Sequence, residues 1–137
     1  MRAVSVCLIL FLVTAHMSVA KILTKCQLLQ ELKKHNVAKN DLATWVCIAQ
    51  HESSLNTAAK GGPNTDRSYD NGIFQINDRY WCRENGVGGS CNINCADLRK
   101  SNLANDIKCA LKIRKSQGFK AWITYSKYCT KASLPRC

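Results

Sequence analysis

The stretch Ala49-Gln50-His51-Glu52-Ser53-Ser54-Leu55-Asn56, followed by Asn64-Thr65-Asp66-Arg67-Ser68-Tyr69-Asp70-Asn71-Gly72-Ile73-Phe74-Gln75-Ile76-Asn77, decides how this chain is read. It passes from one kind of order to another. Upstream of Glu52, Leu42, Trp45, Val46 and Ala49 recur at i, i+3, i+4 and i+7, the spacing of a buried helical face. Downstream, Gly61-Gly62-Pro63-Asn64 breaks that pattern and begins a short β region. Asp70-Asn71-Gly72 is a tight-turn signal between two short strands, residues 67–70 and 75–77. Two carboxylates flank the change. Glu52 ends the helix, where unsatisfied carbonyls disfavour an ionised acid, and burial would push the same way. Asp70 sits among Asn, Ser, Tyr and Gln. Strand alternation places Asp70 and Ser68 on one face and Tyr69 on the other. Asn64, Gln75 and Asn77 are then available as amide donors that keep Asp70 ionised. An acid in a dry setting beside a carboxylate in a polar one is the division of labour of glycoside hydrolysis. The plainer alternatives are an exposed Glu at a frayed helix end and an Asp that merely favours a turn.

The flanking sequence supplies further helices. Thr24-Lys25-Cys26-Gln27 fits a capping box ahead of an apolar stripe of Leu28, Leu29 and Leu32. Asn36 ends that helix, and Asn40-Asp41 starts the next, on which Trp45 reads as core rather than binding site. Tyr80-Trp81-Cys82 puts two aromatics beside a half-cystine, where their faces either stack on sugar rings or only pack. A loop rich in Gly and Asn runs from Glu84 to Asn94. Another helix begins near Ser101-Asn102, lines one side with Leu103, Ile107, Ala110 and Leu111, holds Asp106 in its first turn, and stops at Gly118. A short helix over residues 120–127 carries Trp122 and Ile123 towards Cys129. There is no internal repeat, linker or low-complexity segment.

Residues 1–20 read as a secretory signal peptide. Arg2 gives a positive start, Val4 to Val13 is an almost unbroken apolar run, and Ser18-Val19-Ala20 places small residues before a cut ahead of Lys21. The run is about half the roughly 20 residues a membrane span needs, which argues against an anchor. The remaining residues, 21–137, make one domain. Of nine cysteines in the sequence, Cys7 falls in the leader and eight remain, an even number that reads as four disulfides in a secreted chain. Spacing leaves about 105 pairings open. Zinc at Cys91 and Cys95 is disfavoured, since His35 and His51 are far away in sequence and secretion argues against free thiolates. The formal charge is +11, and without Arg2, the only charged residue of the leader, it is +10. Such a surface favours anionic partners such as a bacterial envelope. The basic residues are scattered and accompany no nucleic-acid recognition motif.

Other catalytic classes are weaker. G-x-S-x-G, H-E-x-x-H, P-loop and dinucleotide signatures are all missing. His51 and Glu52 are neighbours on a helix and so point about 100° apart. With the cysteines oxidised, there is no thiol nucleophile.

Taken together, Trp45-Val46-Cys47 with Glu52-Ser53, Asn64-Thr65-Asp66, Asp70 to Asn77, Trp81-Cys82, Cys91-Asn92-Ile93-Asn94-Cys95 and Ala121-Trp122 resemble the C-type lysozyme family, and the resemblance runs from Lys21 to Cys137. It implies an α+β fold, a mostly helical lobe and a small antiparallel β lobe with a cleft between them. It also implies disulfides Cys26–Cys137, Cys47–Cys129, Cys82–Cys95 and Cys91–Cys109. By position, Glu52 matches the family's general acid and Asp70 its nucleophile or electrostatic stabiliser. Trp122 matches a tryptophan packed on the acid, Asn64, Gln75 and Asn77 match polar residues around the second carboxylate, and Tyr80, Trp81 and Ala121 match the sugar-binding cleft. The implied reaction is hydrolysis of β-1,4 bonds between N-acetylmuramic acid and N-acetylglucosamine in bacterial peptidoglycan, by a secreted monomer without cofactor; the basic charge leans towards antibacterial defence, with a digestive role as the alternative. A retaining mechanism would need the two carboxyls roughly 5 Å apart.

Some features depart from the pattern. Tyr80 stands where family members often carry Trp. One extra residue lies between Glu52 and Asn64, and the segment before Trp122 is short. Some relatives bind calcium, but here Ser101, Leu103 and Ile107 occupy the matching places and only Asp106 remains, too few oxygen ligands. Two rivals stand beside the enzyme. One is a noncatalytic binding protein similar to α-lactalbumin, disfavoured because both carboxylates are kept. The other is a cationic protein that disrupts membranes whatever its catalysis.

Overall fold

A computed structural model describes residues 19–137; the apolar leader run lies outside them. The elements are α1 (Lys25–Lys34), α2 (Leu42–Ser53), β1 (Lys60–Gly61), β2 (Asp70–Asn71), β3 (Ile76–Asn77) and α3 (Ala104–Gln117), with 3-10 turns at Lys39–Asp41, Cys95–Arg99 and Phe119–Ala121. Helices form one lobe and the antiparallel sheet, in the order β1-β2-β3, the other.

The Thr24 capping box opens α1, with Gln27 N donating to Thr24 Oγ1 at 3.1 Å and Thr24 N to Gln27 Oε1 at 2.9 Å. Its stripe of Leu28, Leu29 and Leu32 is buried. The start of α2 works differently. Asp41 makes no side-chain cap; its carboxylate pairs instead with Arg114 of α3 at 2.7 Å. The start signal is real, and its partner is a distant cation. Trp45 is core, 1% exposed. It meets Phe74, Phe119 and Trp122 edge-on at centroid distances of 5.3, 5.0 and 5.0 Å, contacts each worth about 0.5–1.5 kcal/mol beyond burial.

The hairpin is tighter in its strands and longer in its turn than the sequence suggested. Arg67 takes a left-handed φ of 68°, so residues 67–69 are not strand. Asp70 and Asn71 are β2 itself, and residues 72–75 make the turn. The reason lies in what the turn must bury. Ile73 and Phe74 are both 0% exposed, and a two-residue turn would leave them outside. Gly72 permits this packing: a Cβ there would stand 1.9 Å from the Leu98 carbonyl and 2.6 Å from Asp106 Oδ1. Only glycine fits that approach, and its φ of +74° also favours it.

Asn102 Oδ1 accepts from Ala104 N at 3.0 Å and opens α3; Gly118, at φ 72°, closes it. Asp106, expected as an ordinary first-turn acid, points inward and is 0% exposed. Neither of its oxygens has a donor in bonding geometry. Burial holds its carboxyl well above the usual aspartate range, and the N–H dipoles of its own residue and Ile73 offset only part of that. Beyond Gly118 the expected single short helix is broken at Trp122, whose backbone is extended; a π-helical turn, Tyr125–Cys129, follows. The four disulfides are Cys26–Cys137, Cys47–Cys129, Cys82–Cys95 and Cys91–Cys109, the pairing that the resemblance implied. No helix among the described residues is long and apolar enough to cross a membrane.

Candidate active site

Glu52 and Asp70 face one cleft of about 450 Å³ between the lobes, with Asn64, Gln75, Asn77 and Trp81 on the β side and Ala121, Trp122 and Thr124 on the helical side. A groove of similar size over the Cys91–Cys109 bridge has Asp97 as its only acid, so it offers no acid pair.

Glu52 stands in the last turn of α2 and is half-buried. The next residue fastens that turn to the β lobe: Ser53 Oγ lies 3.0 Å from the Ala49 carbonyl and 2.8 Å from the Ile73 carbonyl. Burial pushes the Glu52 carboxyl above its ordinary value, a hydrogen bond from Thr124 pulls it down, the charge of Asp70 pushes it up, and His51 pulls it down. The net direction is upward, towards an acid that keeps its proton. Thr124 Oγ1 donates to Glu52 Oε1 at 2.7 Å. His51 turns away and stacks on Tyr128, ring centroids 4.3 Å apart, so no His–Glu pair forms.

Asp70 is placed by the sheet. Its cross-strand partner is Asn77, whose Nδ2 donates to Asp70 Oδ1 at 2.9 Å; Asn64 Nδ2 donates to Oδ2 at 3.0 Å. Both amides also reach Ser68 Oγ, at 3.0 and 2.8 Å. Ser68 in turn donates to Asp66 Oδ1 from Oγ at 2.6 Å and from N at 3.0 Å. Arg79 completes the chain at 2.9 Å from Asp66 Oδ2. The Ser68 bonds, then Arg79, lower the Asp66 carboxyl to about 2. Asp66 is thus the far anchor of the network.

The other sequence candidates divide. Gln75 lines the cleft but donates to the Gly72 carbonyl at 2.9 Å rather than to Asp70; its φ of 50° sets it in the turn, where its amide is used locally. Trp122 lines the cleft and bridges the lobes, its Nε1 donating to the Phe74 carbonyl at 2.8 Å. Trp81 and Ala121 also line it. Tyr80 does not: it is 60% exposed, with Arg79 over its ring at 5.5 Å. Thr124 was missed, because it sits past the helix break at Trp122 where no periodicity points to it.

The model of the C-type lysozyme/alpha-lactalbumin family matches residues 21–137. The chain belongs to that family. Lysozyme P of Drosophila melanogaster is 43% identical over 125 residues, covering 89% of this chain and 87% of that one. The lysozyme of Bombyx mori is 44% identical over 119 residues, with 86% and 85% covered. A solved lysozyme of Litopenaeus vannamei superposes with a TM-score of 0.75 at 38% identity, covering 84% of this chain and 92% of that one. This C-type lysozyme fold sets its helical lobe and its sheet on either side of the cleft that holds Glu52 and Asp70.

Proposed function

We propose that Glu52 and Asp70 carry the hydrolysis of peptidoglycan at β-1,4 bonds between N-acetylmuramic acid and N-acetylglucosamine. Family membership, with curated relatives that are lysozymes, supports a glycosidase of this kind. The observation that carries it is the contrast across one cleft. Glu52 is held towards its protonated form by burial, while Asp70 accepts from the side-chain NH2 groups of Asn64 and Asn77, one on each oxygen. Glu52 gives its proton to the glycosidic oxygen as the bond to the anomeric carbon breaks. Asp70 bonds or stabilises that carbon, and Glu52, now a base, takes a proton from the water that completes hydrolysis. Asn64 and Asn77 orient Asp70, Trp122 walls the acid, and Trp81 offers an aromatic face to the sugar.

We read the protein as a secreted monomer acting in defence. Four disulfides fit an oxidising compartment, and the charge of +10 that remains without the leader's Arg2 favours approach to anionic envelopes. The test is clearing of a peptidoglycan-rich bacterial suspension by wild type and Glu52→Gln, each shown to be folded. Clearing lost only in the variant supports the reading. Equal clearing by both would assign the killing to charge, and none by either would favour a binding role.

A further inference from the structure

The two residues of β2 point to opposite faces of the sheet. Asp70 faces the cleft, and Asn71 is fully buried behind it. Asn71 Nδ2 donates to the Ile76 carbonyl of β3 at 3.2 Å and lies 3.4 Å from the Tyr69 carbonyl. Its Oδ1 accepts from Arg99 Nη1. The same guanidinium grips Glu84, Nη2 to Oε1 at 2.9 Å and Nη1 to Oε2 at 3.2 Å. Lys60 of β1 reaches Glu84 Oε1 at 3.1 Å. The Arg99 side chain is only 19% exposed. It is delivered by the 3-10 turn Cys95–Arg99, whose first residue is bridged to Cys82 and whose Leu98 carbonyl packs under Gly72.

A carboxamide has two faces, and alone it can rotate by half a turn. If Asn71 turned, its oxygen would meet the carbonyls of Tyr69 and Ile76. Arg99 has donors only, so it admits only the orientation in which Asn71 shows it oxygen and gives its NH2 to β3. That orientation reinforces the Asn71↔Ile76 pairing, which is adjacent to Asp70↔Asn77. We propose that Arg99, held in place by Glu84, is a positioning residue for Asp70, fixing the Asn71 amide and with it the β2–β3 register that sets Asp70 against Asn77. This rests on Asp70 being the second carboxylate of the hydrolase. Glu84 is suited to its part, since the Arg99 bonds, and then Lys60, hold its carboxyl below the usual range.

The test compares Arg99→Gln, Arg99→Lys, Asp70→Asn and Asp41→Asn, measuring kcat and KM on a soluble N-acetylglucosamine oligomer, thermal midpoint, and the side-chain amide resonances of Asn64 and Asn77. Asp41→Asn is the stability control, because it frees Arg114 at the opposite end of α2, roughly 16 Å of helix from Glu52. Arg99→Gln is expected to lower kcat about tenfold with KM within about twofold, as a small misplacement of a reacting group does. It should also shift the Asn77 amide signals. Arg99→Lys keeps a cation for Glu84 without the fork, so it should restore the thermal midpoint more than kcat; it stands in if the glutamine variant does not fold. Loss of kcat no larger than in Asp41→Asn, with unmoved Asn77 resonances, overturns the proposal. Wild-type turnover by Asp70→Asn would overturn the underlying assignment of Asp70 instead, and the resonances would still report whether Arg99 sets the register.

Discussion

Removing the Thr124 hydroxyl while keeping its shape, as in Thr124→Val, separates the two opposing influences on Glu52. The hydroxyl stands 2.7 Å from Glu52 Oε1, and it favours the charged carboxylate over the neutral acid. Hydrogen bonds to charged groups contribute about 1.5–3 kcal/mol when well shielded. Both partners are half-exposed here, and a hydroxyl can still bond the neutral acid, so about 1 kcal/mol is a fair differential. With Glu52 as the proposed general acid, which must be protonated to act, activity falls as pH rises through the value of Glu52. The valine variant holds its proton to higher pH, and its alkaline limb moves upward. A 1 kcal/mol differential is about fivefold, so the variant-to-wild-type ratio of kcat/KM should grow about fivefold from the plateau to pH values beyond the limb. The assay is a pH profile of kcat/KM on a soluble oligosaccharide, with Thr124→Ser as the variant that keeps the bond. Parallel profiles for wild type and Thr124→Val would show that the hydroxyl does not set the protonation of Glu52.

Three further outcomes follow from the same geometry. Asn77→Ala takes one of two amide donors from Asp70, and loss of a bond to a charged group, about 1.5–3 kcal/mol, should cost kcat roughly tenfold or more in steady-state kinetics. Replacing Cys26 and Cys137 together opens a bridge spanning 111 positions; chain-entropy models put this near 4.7 kcal/mol, to be read by denaturant unfolding, with activity kept under conditions where the variant is folded. Asp106→Asn tests the buried acid. Its value is raised in the fold, so its contribution to stability is present at acid pH and lost as pH rises. The variant's thermal midpoint relative to wild type should therefore improve steadily from acidic to neutral pH, and a constant offset would contradict that account.

How much the sequence showed depends on whether the determining contact was local. The α1 capping box, the buried face of α2 and the position of Glu52 at its end arise within one helix, where period and cap chemistry are visible. Asp70 with Asn64 and Asn77 was legible from donor chemistry and from the hairpin that pairs Asp70 with Asn77, although the strand expected over residues 67–69 does not form. The misses have distant partners. Asp41 looks like a cap, but its partner is Arg114, which is 40% exposed on another helix. Gln75 has the right amide, but the left-handed turn that buries Ile73 and Phe74 spends it on Gly72. Asp106 has the signature of a surface acid, and only the packing of α3 under Gly72 turns it inward. Thr124 owes its place to a break in the helix at Trp122, where no pattern continues. Tyr80 is an aromatic beside Trp81 in sequence, but it stands 60% exposed and does not line the cavity that Trp81 lines.

If Glu52 is the proton donor of a glycosidase, as proposed, the reducing ends released from purified peptidoglycan report on it without intermediary. Wild type should release N-acetylmuramic acid reducing ends, and folded Glu52→Gln should be slower by about 10²–10⁴-fold, the usual contribution of a general acid. Release by Glu52→Gln at the wild-type rate would mean that the proton comes from another group.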